Sequence, residues 1–485
     1  MINFKRTLLP AALGLLLAGS SCKKALDINQ DPNNPAIGQG TPTIVFPAAV
    51  MSTAGRVGGD MAILGGIWAQ YWTQSATANQ YKYIDAYNVK SADFNGGYTE
   101  LFAGALNDYQ FVIGKANEQR NWKYLLMATV MKAYTYQVLV DLYDQVPYSE
   151  AFRGTANLQP KFDDGYSIYK SLLAEIDTAL ARDYHTGEFD TRDQQADIVF
   201  GGDMDRWEEF ANTQKLKMYL RMVNKKPAEA QAGIEALYTA GARFLSTDAA
   251  IKSFVNQPDK SNPFYEYNVR SLNVSTNLRA SRTLLTYLQA NADTRRPVYY
   301  AGNNGLDQGD YGTTSSAGQN ASVVNQSATD PVYFISAAES FFMQAEARER
   351  YFAGAGAKAR YDQGVLAAFD QHDLDGTAFV NGAYAYPTAG TLDQKIEAIS
   401  TQKWISFFGS HALEGFFEKN RTGYPRTSAV YSDNPAYVPG QFVVSRNAVT
   451  NNQLPKRLVF PDVERTRNRN TPAEVPITTP VWWAL

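Results

Sequence analysis

Two stretches of the 485-residue chain concentrate side chains suited to holding a polar ligand against aromatic rings. The first runs through Trp68, Tyr71 and Trp72 to Gln74, Ser75, Asn79, Gln80, Tyr81 and Tyr83. The second holds Asn262, Phe264, Tyr265, Tyr267, Asn268 and Arg270, with Asn273 and Asn277 beyond it. Rings stack on the apolar faces of sugars or on peptide side chains, while amides and charged groups bond hydroxyls or peptide groups. Trp72, Asn79, Tyr81, Tyr83, Tyr265, Tyr267 and Asn268 are therefore the expected ligand-binding residues. A plainer role competes for some neighbours. Met61, Leu64, Trp68 and Tyr71 recur at spacings of three and four, one stripe of a helix, which makes Trp68 and Tyr71 candidates for the core.

Motifs for catalysis are missing from the sequence. It has three histidines, His185, His372 and His411, and none stands in a nucleophile motif. There is no G-x-S-x-G elbow and no phosphate-cradling Gly-Lys loop. His411 and Glu414 lie one helical turn apart without a further metal ligand. Asp373-Leu374-Asp375-Gly376 looks like part of a calcium loop, but Gln371 and Gly382 occupy positions that need acidic ligands, so a turn is expected. Neither catalysis, a metal nor a cofactor is expected. The formal charge of −3 gives no electrostatic reason for a nucleic-acid partner.

The elements that position these residues follow an export signal. Lys5 and Arg6 precede an apolar run from Leu8 to Ala18, then Gly19, Ser20, Ser21 and Cys22. This is a signal-peptide layout, and its apolar run is shorter than the ~20 residues of a membrane span. Cys22 is the only cysteine, placed where a bacterial lipoprotein is acylated, so no disulfide can form within the mature chain. Residues 1–21 are expected to be the signal, 22–47 an acylated start and tether rich in Pro, Asn and Gly, and 48–485 one binding domain. Ala48–Trp72 has helical spacing weakened by several glycines, and Thr73–Tyr87 is expected to be a loop.

Beyond that point the pattern is of paired amphipathic helices. Tyr98–Glu118 and Trp122–Tyr143 form one pair, and Tyr166–Arg182 and Trp207–Val223 another. Val332–Ala353 with Ala357–Phe369, and Leu392–Phe408 with His411–Lys419, make two more. The fold class is mainly α: degenerate tetratricopeptide-like hairpins that stack their apolar faces, with long irregular loops. Thr247–Pro331, rich in Asn, Ser, Gly and Tyr, and Tyr424–Leu485, rich in Pro and Asn, are long enough to be functional or to wrap the core. Arg421 is expected to bond helix carbonyls ahead of the Gly423-Tyr424-Pro425 stop.

Several motifs in this order carry a family resemblance. They are Leu26-Asp27-Ile28-Asn29-Gln30-Asp31-Pro32, Lys132-Ala133-Tyr134, Asp141-Leu142-Tyr143 and Val146-Pro147-Tyr148-Ser149-Glu150-Ala151. Gly202-Asp203 with Trp207 follows, then Gln344-Ala345-Glu346-Ala347, Gln402-Lys403-Trp404, Arg421-Thr422-Gly423-Tyr424-Pro425 and Leu454-Pro455-Lys456-Arg457-Leu458. On these the chain resembles the SusD/RagB-type nutrient-binding outer-membrane lipoproteins of Bacteroidetes, with Phe416 and Asn420 where that pattern often has Trp and Arg. The resemblance implies a SusD-like helical core and lipidation at Cys22. It also implies an outer-membrane location facing the cell surface, and delivery of an oligosaccharide or peptide to a SusC-like TonB-dependent transporter.

Overall fold

The structure is a computed structural model and describes residues 40–187, 189–274 and 276–485. Cys22, the signal and most of the expected tether lie outside the described residues. In chain order the principal helices are α1 (Pro42–Val57), α2 (Asp60–Trp68), α3 (Asn107–Gln119), α4 (Trp122–Tyr143), α5 (Gly165–Leu180) and α6 (Met204–Met222). They continue as α7 (Pro227–Thr239), α8 (Arg282–Ala290), α9 (Ala337–Tyr351), α10 (Ala357–Asp370), α11 (Leu392–Ser406) and α12 (Ala412–Thr422). Neighbours pack as hairpins, α3 on α4, α6 on α7, α9 on α10 and α11 on α12, with α4 also against α5 and α9 against α11. The expected tetratricopeptide-like architecture is the one observed.

Several boundaries differ from expectation, each for a local reason. The first helix begins at Pro42, inside the stretch expected to be tether, because a proline at N1 is preset for helix and needs no hydrogen-bond partner there. Val332–Ala353 is not one helix. Val332–Ile335 is an extended strand, and Ser336 caps the helix that follows by accepting from the Glu339 N–H at 3.1 Å. The β-branched and aromatic run Val332-Tyr333-Phe334-Ile335 suits a strand better than a first helical turn. Within the expected loop Thr73–Tyr87, Trp72–Gln74 is a strand and Lys82–Asp85 one helical turn.

Six short strands make three antiparallel pairs: β1 (Trp72–Gln74) with β5 (Leu278–Ala280), β2 (Gln145–Pro147) with β3 (Phe162–Asp164), and β4 (Ala249–Ile251) with β6 (Val332–Ile335). The first and third staple the irregular mid-chain to the helical layer. In β1–β5, Trp72 faces Ala280; in β4–β6, Ala250 faces Tyr333, beside a register irregularity at Ala249/Ala250.

Helices α2 and α12 cross closely enough that a Cβ on Gly65 would lie 2.4 Å from the Leu413 Cα. A Cβ on Gly66 would lie 2.0 Å from the Trp72 ring. The glycines that weaken the local helix signal are thus required by its packing.

Where the hairpins converge, the core is ionic. Lys217 and Arg221 of α6, Glu339 and Glu346 of α9, Lys403 of α11, and Glu414, Glu418 and Arg421 of α12 are all buried. Lys217 Nζ lies 2.6 Å from Glu414 and 3.0 Å from Glu339, and Arg221 lies 2.7 Å from Glu414 and 3.3 Å from Asp141 of α4. Arg421 donates to both oxygens of Glu346, at 2.7 and 2.6 Å, and to Glu418 at 2.7 Å. Its expected role at helix carbonyls is corrected: one carbonyl, Leu220 O at 3.4 Å, is a minor partner beside two carboxylates. Burial pushes the Glu346 carboxyl up, but Arg421 and Arg350 outweigh it and hold the group down at about 2.

Candidate ligand-binding site

The candidate site is a cleft of about 310 Å³ where the stapled mid-chain meets the helical layer. Its wall is built of rings. Tyr299 and Phe408 stack with centroids 4.0 Å apart and planes 9° from parallel. His372 stands edge-on to Tyr299 at 5.2 Å. Phe264 and Tyr333 complete the lining.

Each ring is aimed by its element. Strand β6 alternates, with Val332 and Phe334 buried and Tyr333 partly open. Phe408 lies two residues past the end of α11 at Ser406, just after its C-cap Phe407. Tyr299 donates its hydroxyl to Ile405 O at 3.2 Å, locking its ring against that helix end. Phe264 lies in the short turn capped by Asn262, whose Oδ1 accepts from the Tyr265 N–H at 3.2 Å.

Polar groups come from the 325–331 loop and the end of α10. Asn262 Nδ2 donates to Asp330 O at 2.9 Å, and the Asp330 carboxylate accepts from the Ser327 N–H at 2.7 Å. Asn325 donates to Pro297 O and Val298 O, both at 3.0 Å, and Ser410 donates to Pro331 O at 2.5 Å. Gln326 has both amide atoms buried without a partner among the described residues, and Gln371 has its amide nitrogen so. Such groups are costly to leave unmade and sit at the wall of an open cleft. Burial, aided by the charge of Arg295, lowers His372 to about 4, so its ring is uncharged near neutral pH. Burial raises the Asp330 carboxyl, opposed by the Ser327 N–H.

None of the seven residues expected from sequence lines this cleft. Trp72, expected to bind ligand, is fully buried. Its ring stacks on Phe264 at 4.9 Å, meets Phe408 edge-on at 5.5 Å, and donates its N–H to Ile63 O at 3.2 Å. Strand pairing of β1 with β5 draws it inward, so it supports the cleft wall from behind. Tyr81 is buried, its N–H bonded to Gln74 Oε1, and Asn268 is buried with both amide atoms unpartnered among the described residues. Asn79 is exposed in a turn. Tyr265 is half-buried under Arg270, whose guanidinium lies 5.5 Å from the ring.

Tyr83 and Tyr267 are half-buried around Asp60. Burial pushes the Tyr83 hydroxyl up to about 12, with Asp93 and Asp60 adding, and Tyr267 accepts from Arg56, which lies 3.7 Å from Asp60. Sequence reasoning missed Tyr299, Tyr333, His372 and Phe408. For Tyr299 the available signal was the Asn- and Ser-rich composition of Thr247–Pro331, which flagged the segment without choosing its residues; Tyr333, His372 and Phe408 lie outside it.

A second cleft of about 330 Å³ lies between α8 and α11, where Tyr287 and Tyr384 run parallel at 6.1 Å. Its arginine, Arg426, is engaged by Glu397 at 2.9 Å and Asp393 at 3.1 Å. It offers fewer rings than the first.

Stacked helical hairpins carrying an aromatic cleft on inserted loops define a binding scaffold. Residues 36–461 match a family profile, SusD-like, described as starch-binding and associating with the outer membrane. The chain belongs to the SusD-like family, whose members are binding proteins associated with the outer membrane. A SusD homologue of Bacteroides uniformis superposes with a TM-score of 0.76 at 21% identity, covering 91% of this chain and 99% of its own. A chitin-binding SusD homologue of Flavobacterium johnsoniae superposes at 0.71 with 20% identity, covering 90% and 98%. A further chitin-binding protein gives 0.74 at 22% identity, covering 92% of this chain and all of its own. No curated protein matches the chain.

Proposed function

We propose that this protein captures an oligosaccharide in the Tyr299–Phe408 cleft and delivers it to a SusC-like TonB-dependent transporter, held at the outer membrane by a lipid on Cys22. One observation carries the glycan reading: a stacked ring pair lies in one cleft with the exposed polar side chains of Asn325 and Ser327. A pyranose presents an apolar face to the ring and hydroxyls to Asn325 and Ser327. Two of the structurally similar proteins are described as chitin-binding, which supports a glycan over a peptide. Delivery requires release, so dissociation constants in the micromolar to millimolar range are expected, about −8 to −4 kcal/mol. Among the described residues no helix is long and apolar enough to cross a membrane, and attachment in this reading rests on the lipid.

The test is calorimetric titration of the mature protein with a panel of oligosaccharides and peptides, the reaction mixtures being analysed for cleavage. Glycan binding without cleavage is the expected result. Binding of peptides alone, or hydrolysis of any glycan, overturns the reading. Transporter delivery is checked separately, by co-purification from outer membranes with a TonB-dependent barrel.

A further inference from the structure

We infer that the cleft over Tyr299 and Phe408 takes uncharged oligosaccharide and turns away chains carrying uronate or sulfate, with Asp330 setting that preference. The inference rests on the glycan-capture reading above and adds the charge class of the ligand. Asp330 is the one carboxylate of the lining, and neither lysine nor arginine lines the cleft among the described residues. The 325–331 loop fixes that carboxylate in place. Its oxygen accepts from the Ser327 N–H at 2.7 Å, while its carbonyl is held by Asn262.

The guanidinium closest in kind, that of Arg295, is fully buried beneath the ring wall. It is bound by both oxygens of Asp293 at 2.7–3.2 Å and lies 4.0 Å from the Phe369 ring. Its Nη1 has no partner among the described residues, but it is buried with the rest of the side chain and offers no surface to a ligand in the cleft. His372 is neutral near physiological pH and offers a hydrogen bond, not a charge. An anionic sugar therefore meets a like charge in a half-dehydrated cleft with nothing to pair it, whereas hydroxyls and N-acetyl groups find amides. Specificity here comes from repulsion as much as from attraction.

Titrating the mature protein with maltohexaose, chitohexaose and hexagalacturonate tests this at matched length. At least one neutral hexamer is expected to bind, and hexagalacturonate at least tenfold more weakly than the better of the two. Asp330→Asn keeps an oxygen for the Ser327 N–H and is expected to narrow that ratio at least threefold. A wild-type ratio below tenfold overturns the charge assignment and leaves capture standing. A ratio unmoved in a variant that melts like wild type overturns the part given to Asp330. Silence from every oligosaccharide, neutral or anionic, overturns the capture reading itself and takes this inference with it.

Discussion

Aromatic side chains in this protein divide into those that present a face and those that hold the presenters still. Phe408 is half-buried and can meet a ligand; Trp72, behind it, cannot. The two should therefore fail differently. Phe408→Ala removes a stacking surface worth about 0.5–1.5 kcal/mol beyond its area. It should weaken glycan binding roughly tenfold in calorimetry and also lower stability, because the ring packs on Tyr71, Trp72, Tyr299 and Tyr300. Trp72→Ala empties a fully packed site and should cost about 3–5 kcal/mol in urea denaturation. A stable Trp72→Ala protein would show that the wall does not depend on it.

Asp85 illustrates another residue-scale constraint. It is buried, accepts from Thr73 Oγ1 at 2.7 Å and from the Gln74 and Gly309 N–H groups at 3.1 Å, and so ties β1 to a distant loop. Burial raises its carboxyl to about 6, those donors opposing the shift. The folded state therefore binds a proton that the unfolded chain, near 3.8, has already released. This contribution to stability is full below about pH 4 and is lost as pH rises through 6. Relative to Asp85→Asn, wild type should lose about 1–3 kcal/mol between pH 4 and pH 7 in urea titrations. Parallel pH profiles for the two proteins would refute the assignment.

At the scale of elements, the hairpins are joined by charge as well as by apolar contact. Arg421 of α12 reaches Glu346 of α9, so removing it leaves two carboxylates buried without their main cation. Arg421→Met should destabilise the protein by about 3–5 kcal/mol. A denaturation midpoint within experimental error of wild type would show that α9 and α12 do not depend on the pair.

The element scale also shows what the sequence discloses. Trp122–Tyr143 coincides with α4, because its apolar spacing is continuous and ends before Pro147. In α7, only Ala230, Ile234 and Leu237 are buried, and that thin stripe leaves little periodicity to read. Arg421 is visible as a residue, but its partner Glu346 lies 75 positions away on another hairpin. The cleft is harder still. Phe264, Tyr299, Tyr333, His372 and Phe408 come from separate segments, and no local pattern encodes their convergence. Of the aromatic stretches that composition does single out, Phe264 reaches the cleft, whereas strand pairing draws Trp72 inward.

For the whole molecule, the fold and the anchor should be separable. The described chain starts at Gly40, where a Cβ would lie 2.9 Å from the Phe111 ring, so α1 enters already packed on α3. Every ring of the cleft comes from residues 264–408, and every charge of the interhelix cluster from residues 141–421. The residues numbered 23–39 could reach no farther than about 60 Å when fully extended, which would bound how far an anchored protein can rise from the membrane. Cys22→Ala should therefore abolish palmitate labelling and release the protein from the outer-membrane fraction, while its melting temperature and glycan affinity match those of the mature wild type. Labelling that survives the substitution removes the anchor from the reading and leaves the cleft untouched. Loss of glycan binding together with the lipid would instead mean that the N-terminal segment completes the site, against the separation of fold and anchor.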